Sequence, residues 1–390
     1  MIYERQETID PDTDNFNSYY SRISSFYRTV KIVCVFVLCT FILGGLIFFG
    51  EIFTNENARY VLRDLGQIIA DDSSDPVSKI TFDADGEMDY SVYRSNLVVA
   101  GASGVDIIGV SGKVKLSDGT TYISPVIESS DKYCIVYSLG AYNLSVYNTV
   151  ARIFDFKFDY PIYDVAVSDK GDIAVMTQSR EYKCTVYLYN SDFKLIATYN
   201  KTKYPCSVDF SHDNGSLYIT TFSSVDGNFH SELECYPLQS SDVIFTYSIN
   251  GELPYDVISL VDDKVALITE RTLVFLNPVG EVIKRYTFGY KISKFTSDER
   301  NVAILVAAKN PSAALYDVNG EVVYSDQFGE IDSIYIFEGI LYGLNRNSLF
   351  TVNNETSTVY ELSNSPQKLL YLGSYLYPCF IDNITSIKID

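Results

Sequence analysis

The 390-residue chain has no Trp, only two His, and 50 Asp and Glu against 30 Lys and Arg, for a formal charge of −20. Two imidazoles, His212 and His230, leave little for His-based acid–base catalysis or for a zinc site. A surface this acidic repels phosphate backbones, which excludes nucleic acid as a partner class. The GxSxG elbow, the Walker loop, the HExxH helix and the dinucleotide-binding glycine fingerprint are all absent. The sequence therefore assigns no catalytic residue, no cofactor and no metal. Neither CxxC nor CxxxC occurs among the seven cysteines. Cys34 and Cys39 lie inside an apolar run, while Cys134, Cys184, Cys206, Cys235 and Cys379 are scattered beyond it and odd in number. Buried free thiols are the simpler reading, with one or two disulfides as the alternative.

What the chain has in quantity is strand-forming residues. Its 33 Tyr and 23 Phe suit a pleated, half-buried surface, and an apolar fraction of 47% with 21% charged residues is that of a folded protein.

Ile32 to Gly50 (IVCVFVLCTFILGGLIFFG) is free of charge for 19 residues. As a helix it would span about 28 Å, close to the ~30 Å hydrocarbon core of a bilayer. A cleavable signal peptide fits less well: the run is long, starts after 31 residues, and lacks a small-x-small cleavage site. Arg22, Arg28 and Lys31 precede it and Glu51 and Glu56 follow, so the positive-inside rule puts the N-terminus in the cytoplasm and the rest outside. Residues 1–31 read as a cytoplasmic, disordered tail; the Asp10, Asp12, Asp14 run lacks the Gly and Glu that a calcium loop needs. Residues 51–76 read as a juxtamembrane stalk, with Val61, Leu62, Leu65, Ile68 and Ile69 at helical spacing over 55–70.

Residues 77–390 change character to short apolar runs broken by Gly, Asp, Asn and Ser. Ile107–Val114 (IIGVSGKV), Phe275–Val282 (FLNPVGEV) and Tyr316–Val322 (YDVNGEV) repeat one phrase: a strand, a turn ending in Gly112, Gly280 or Gly320, and a new strand. A second turn recurs at Ser168–Gly171, Ser211–Gly215 and Ser297–Arg300. The strand after it starts near Leu97, Tyr133, Ile173, Leu217, Val265, Val302 and Leu341, at spacings of 36, 40, 44, 48, 37 and 39 residues. That is the period of a four-stranded propeller blade. Three further strands (Lys368–Leu372, Tyr375–Ile381, Ser386–Ile389) and a single early one, Lys79–Phe82, complete a shared closing blade. The expected fold is an all-β propeller of eight blades, with seven as the alternative, behind one transmembrane helix and a short juxtamembrane helix.

At these turns the chain resembles PQQ-like and WD-like propellers; Ala314–Val322 is similar to the quinoprotein-type repeat. Those repeats carry a Trp that docks neighbouring blades, and Tyr286, Tyr324 and Phe156 stand where its packing is needed. The whole layout resembles a domain-of-unknown-function family of single-pass, extracytoplasmic propeller proteins of Gram-positive anaerobes. That resemblance implies the cell envelope and supplies no site residues.

Ser211-His212-Asp213-Asn214-Gly215 matches one sialidase Asp box and reads as a structural turn; Asp83–Glu87 reads as an Asp-Gly turn rather than a calcium site. Propellers bind through loops at one end of the ring. The longest insertion is in the fourth blade, Phe222–Ser231, and its Phe222, Val225, Asp226, Asn228, Phe229 and His230 are the candidate partner-binding loop. The expected function is a non-enzymatic binding or scaffolding module for an envelope protein or a wall or polysaccharide component. A glycan-cleaving or quinone-dependent propeller enzyme, or a receptor for an external ligand, are the alternatives.

Overall fold

The computed structural model describes residues 23–40 and 76–389, apart from 84, 239, 241, 328–329 and 353–358. Two units divide between Ala70 and Asp71. The juxtamembrane helix expected over 55–70 lies outside the described residues, as do residues 1–22 of the tail and 41–50 of the apolar run.

In the first unit a helix runs from Ile23 to Thr40, none of it buried, and is long and apolar enough to cross a membrane. It starts ahead of the charge-free run, inside the stretch read as tail. No Pro or Gly interrupts residues 23–40. The hydroxyls of Thr29 and Thr40 donate to the carbonyls of Ser25 and Phe36 one turn back, at 2.9 and 2.8 Å, so neither is left unpaired on an exposed helix.

The second unit is a ring of eight antiparallel blades, seven of four strands and one of five. In each of the first seven, strands A to D follow one another in sequence: Asp89–Tyr93, Asn96–Gly101, Gly104–Gly109 and Val114–Asp118 form the first blade, and Val359–Glu361 ends the seventh. The observed B strands begin at Asn96, Cys134, Ile173, Ser216, Val265, Asn301 and Ile340, each within one residue of its sequence marker. Eight is the correct count.

The eighth blade closes the ring. Lys368–Leu372, Tyr375–Cys379 and Asn383–Thr385 are its inner strands, and Lys79–Thr81 is its outermost, in register Lys79↔Thr385, Ile80↔Ile384 and Thr81↔Asn383. The last expected strand is displaced: Asn383–Thr385 pairs with Lys79–Thr81, and only the short Ile387–Lys388 follows. Tyr90 of the first blade donates its hydroxyl to the Phe380 carbonyl of the eighth at 2.7 Å.

The core is not central but lies between blades. Among the described residues there are eight buried apolar clusters, each drawn from two neighbouring blades; Ile80, Tyr90, Leu97, Leu370, Tyr377, Cys379 and Ile384 fill the seam where the eighth meets the first. A strand buried on both faces reads as an unbroken apolar run. Asn96–Gly101 and Val265–Thr269 are buried throughout, whereas the outer strand Val322–Gln327 is nearly all exposed.

The blades dock without Trp. Tyr286 packs on Tyr316 of the next blade (ring centroids 4.7 Å apart), and its hydroxyl donates to the Gly320 carbonyl at 2.6 Å. Phe156 of the second blade lies 4.5 Å from the ring of Tyr189 in the third. Gly112, Gly280 and Gly320 hold φ of +77°, +83° and +72° in the C–D turns, as their repeat requires. All described cysteines are free thiols, and Cys134, Cys184, Cys235 and Cys379 are buried.

Candidate functional site

Because consecutive strands are antiparallel, the A–B and C–D turns lie on one face of the ring and the B–C hairpins on the other. The chain enters the propeller on the A–B face: the Val77 amide donates to the Val110 carbonyl beside the first C–D turn at 3.1 Å. The candidate residues of the fourth blade lie on the opposite face.

The stretch read as a loop, Phe222–Ser231, is instead an extension of the sheet. Strands Ser216–Val225 and Asn228–Pro237 have ten residues each, and their ladder runs out to Val225↔Asn228. The other B and C strands of the first seven blades have five or six, so the ladder reaches roughly 13 Å further at ~3.3 Å per residue. Asp226 (φ +52°) and Gly227 (φ +80°) form its two-residue turn, the Asp-Gly pairing whose twist matches an antiparallel hairpin. That dipeptide was the available signal that the segment is strand rather than loop.

The structure brings the six candidates together with neighbours the sequence did not single out. Val225, Asp226, Asn228, Phe229 and His230 line one open depression with Asn250 and Gly251. Phe222 stacks on Tyr204 (5.5 Å) and meets Phe229 edge-on (6.4 Å), while the Lys183 ammonium sits 4.0 Å over the Tyr204 ring. His230 is half-buried, and its Nδ1 contacts Asn250 Oδ1. Val225, 62% exposed, crowns the tip. The result is a short aromatic ledge with an amide, a carboxylate and an imidazole beside it. Such a surface can stack on a ring and hydrogen-bond at its rim.

On the A–B face the second repeated turn proves to be a collar linking blade to blade. Arg94 Nε donates to the Asp131 carbonyl (2.9 Å), Lys132 Nζ to that of Lys170 (3.2 Å) and Lys170 Nζ to that of Asp213 (2.9 Å). The Asp213 amide in turn donates to Asp263 Oδ1 (3.0 Å). Within the Asp-box turn Ser211 Oγ and the Gly215 amide donate to Asp213 Oδ1 at 2.6 and 2.7 Å, which holds that carboxyl below its usual range. The motif is structural, and His212 is exposed.

Inside the collar, each innermost strand of the first five blades carries one carboxyl, Asp89, Glu128, Asp164, Asp209 and Asp256, and the last four line one cavity. Three of them latch the next blade. Asp89 Oδ2 accepts from the Ile127 amide (2.9 Å), Asp164 Oδ2 from Val208 (2.7 Å) and Asp209 Oδ2 from Ser259 (2.9 Å). Burial away from bulk water pushes Glu128 up to about 8, Asp209 to about 7 and Asp256 to about 6, and raises Asp164 well above the carboxylate range. Neighbouring carboxyls add to the rise at Glu128 and Asp164. The sequence carried the signal for this ring as one acid per A strand, a blade apart. A lone acid in a short apolar run also fits a strand end, so the sequence alone does not mark the ring.

Among the described residues no group of three or more His, Cys, Asp or Glu is placed to hold a metal ion. The ring resembles several solved propellers in fold. BamB from Moraxella catarrhalis is 12% identical with a TM-score of 0.55, covering 81% of this chain and 99% of that one. Saccharomyces cerevisiae Sqt1 is 10% identical at 0.58, covering 80% and 100%. Kuenenia stuttgartiensis hydrazine synthase is 12% identical at 0.50, covering 73% and 98%. At these identities the likeness concerns fold alone. No curated protein matches the sequence. Residues 72–389, the whole propeller, match the family described as a family of unknown function (DUF5711), and the chain belongs to that family.

Proposed function

We propose that this chain is a membrane-anchored, extracytoplasmic binding module whose partner-contacting element is the hairpin of the fourth blade. Its partner is a protein or a wall or polysaccharide component of the envelope. The observation that carries the reading is the ten-residue ladder that lifts an aromatic ledge beyond the other blades. An extension of this kind adds nothing to the inter-blade core: Val225 is 62% and Phe229 37% exposed. Exposed aromatics beside polar groups are what an interface anchor needs. The anchor reading rests on the Ile23–Thr40 helix and on the basic residues that precede the apolar run. BamB and Sqt1 are propellers of the same plan, which suits a scaffold without specifying its partner.

The enzymatic alternative has one feature in its favour, the bore carboxyls with raised pKa. Two of these four, Asp164 and Asp209, are committed to backbone amides of the next blade, which is a structural use.

A photo-crosslinking residue placed at Val225 in intact source cells tests the reading. Val279, equally exposed at 62% but in a C–D turn on the opposite face, is the control. A discrete adduct from position 225 that is absent from 279 and lost with Phe222→Ala supports the hairpin. Equal adducts from both positions, or none from 225, overturn it.

A further inference from the structure

We infer that the B–C face binds a linear neutral glycan and seats one sugar ring in a pocket of the third blade. The pocket measures about 410 Å³ and lies between the B–C hairpin of that blade, at Ser179–Tyr182, and Tyr160 of the linker before it. That volume is within the ~300–1,000 Å³ of small-ligand sites.

The floor is built by the ladder of the two outer strands, Cys184–Tyr189 and Leu195–Lys201. Thr185 lies opposite Asn200 and Tyr187 opposite Thr198, so these four side chains share one side of the blade. Phe158 of the second blade packs on the Tyr187 ring at 5.6 Å and holds it in place. The Thr185 hydroxyl, in a residue 4% exposed, donates to Asn200 Oδ1 at 3.0 Å. That bond leaves the two Asn200 amide N–H groups without a partner among the described residues. The Tyr182 amide donates to Ser179 Oγ at 3.3 Å, which shapes the hairpin that carries Arg180 and Glu181.

The unspent groups define the ligand. Arg180 and Glu181 are exposed and line the pocket, and neither forms an ion pair or a hydrogen bond among the described residues. With the Asn200 amide they offer donors and acceptors side by side. Vicinal sugar hydroxyls, each of which both donates and accepts, are their complement. The negative face of a tyrosine ring attracts the weakly positive C–H bonds on one side of a pyranose.

A second, independent observation is where tyrosine is exposed. Among the described residues of the propeller, six Tyr are more than a third exposed: Tyr142, Tyr163, Tyr182, Tyr204, Tyr255 and Tyr290. Each lies in a B–C hairpin, in a linker from a D strand to the next A strand, or at the start of an A strand. All six are therefore on the B–C face, on the arc from the second blade to the linker entering the sixth. Rings left in water forfeit the gain of burial, so six on one face mark a contact surface.

The chemistry favours a glycan over a protein or a polyanion. A protein anchor fills a hollow that dries on closure, whereas this one is lined by charged, amide and hydroxyl groups. Arg180 and Glu181 cancel in charge, and a chain of formal charge −20 repels a polyanion. Tyrosines on successive blades match a polymer of repeating rings. The pocket shares no residue with the fourth-blade hairpin, so the inference does not rest on that reading.

Saturation-transfer NMR on the full chain, in a detergent without a sugar headgroup, tests this with cellotetraose, chitotetraose and maltotetraose as probes. The expected result is transfer to the ring protons of at least one probe. Tyr182→Ala should weaken its binding about threefold to tenfold, and Arg180→Gln about tenfold or more. Both side chains are exposed, so the melting temperature should hold, and Tyr182→Phe, which keeps the ring, should bind normally. Transfer to none of the three probes, or binding that both pocket variants leave intact, overturns the inference. A protein adduct from Val225 in the absence of glycan binding would assign the face to a protein instead. Phe222→Ala should leave glycan binding unchanged, so this site and the hairpin stand or fall separately.

Discussion

Removing the strand Lys79–Thr81 should open the ring. Ile80 is 6% exposed in the seam with Tyr90, Leu97, Leu370, Tyr377 and Ile384, and full burial of such a side chain contributes about 1.5–3 kcal/mol. Around it the chain adds the ladder to Asn383–Thr385 and further bonds. The Val77 amide donates to Val110 (3.1 Å), Phe82 to Asp382 (3.2 Å) and Ser386 to Ser78 (3.2 Å), and Ser386 Oγ donates to the Val77 carbonyl (3.0 Å). At a net ~0.5–1.5 kcal/mol for each hydrogen bond, the strand and its flanks contribute roughly 5–10 kcal/mol. A whole domain is stable by only about 5–15 kcal/mol. Deleting residues 77–84 should therefore abolish cooperative unfolding. The graded form is Ile80→Ala, expected to cost about 2–5 kcal/mol, against Ile123→Ala at a 78% exposed position, expected within ~0.5 kcal/mol. Urea denaturation of the full chain in detergent, followed by near-ultraviolet circular dichroism, measures both. If Ile80→Ala matches Ile123→Ala, or the deletion keeps its cooperative transition, the reasoning that this strand closes the ring is wrong.

Three further outcomes are expected. The raised pKa values of Glu128, Asp209 and Asp256 mean that the folded ring holds protons the unfolded chain releases. Their contribution is full below pH ~4 and is lost as pH rises through about 6 to 8. The urea midpoint should fall over that window and fall less in Glu128→Gln. Gly320→Ala should cost roughly 1–3 kcal/mol, because φ is +72° and a Cβ would lie 2.7 Å from Phe275 Cδ2; Gly289→Ala, with open space around it, should be neutral by thermal melting. Alkaline phosphatase fused after Asp390 should be active and a cytosolic reporter inactive, as the basic residues before the apolar run require; the reverse pattern would place the propeller in the cytoplasm.

The repeated turns were legible because their chemistry is local. Gly112, Gly280 and Gly320 need positive φ, and Asp213 caps its own turn through Ser211 and Gly215, so residue types at fixed offsets mark each blade. The blade count was legible for a related reason: strands buried on both faces leave short apolar runs between those marks. The hairpin illustrates the boundary. Its six residues are neighbours in sequence, but whether Phe222–Ser231 is loop or ladder depends on cross-strand pairing, and Tyr204 and Lys183 join it from other strands only through the ring.

The amino-acid order alone thus determined the period, the closing strand and the apolar helix, since each follows from spacing and local backbone preference. The bore was decided by tertiary structure. Asp89, Glu128, Asp164, Asp209 and Asp256 lie a blade apart along the chain and converge only because the ring closes. The raised pKa of Glu128, Asp164, Asp209 and Asp256 comes from the water that closure excludes, a property no single strand possesses.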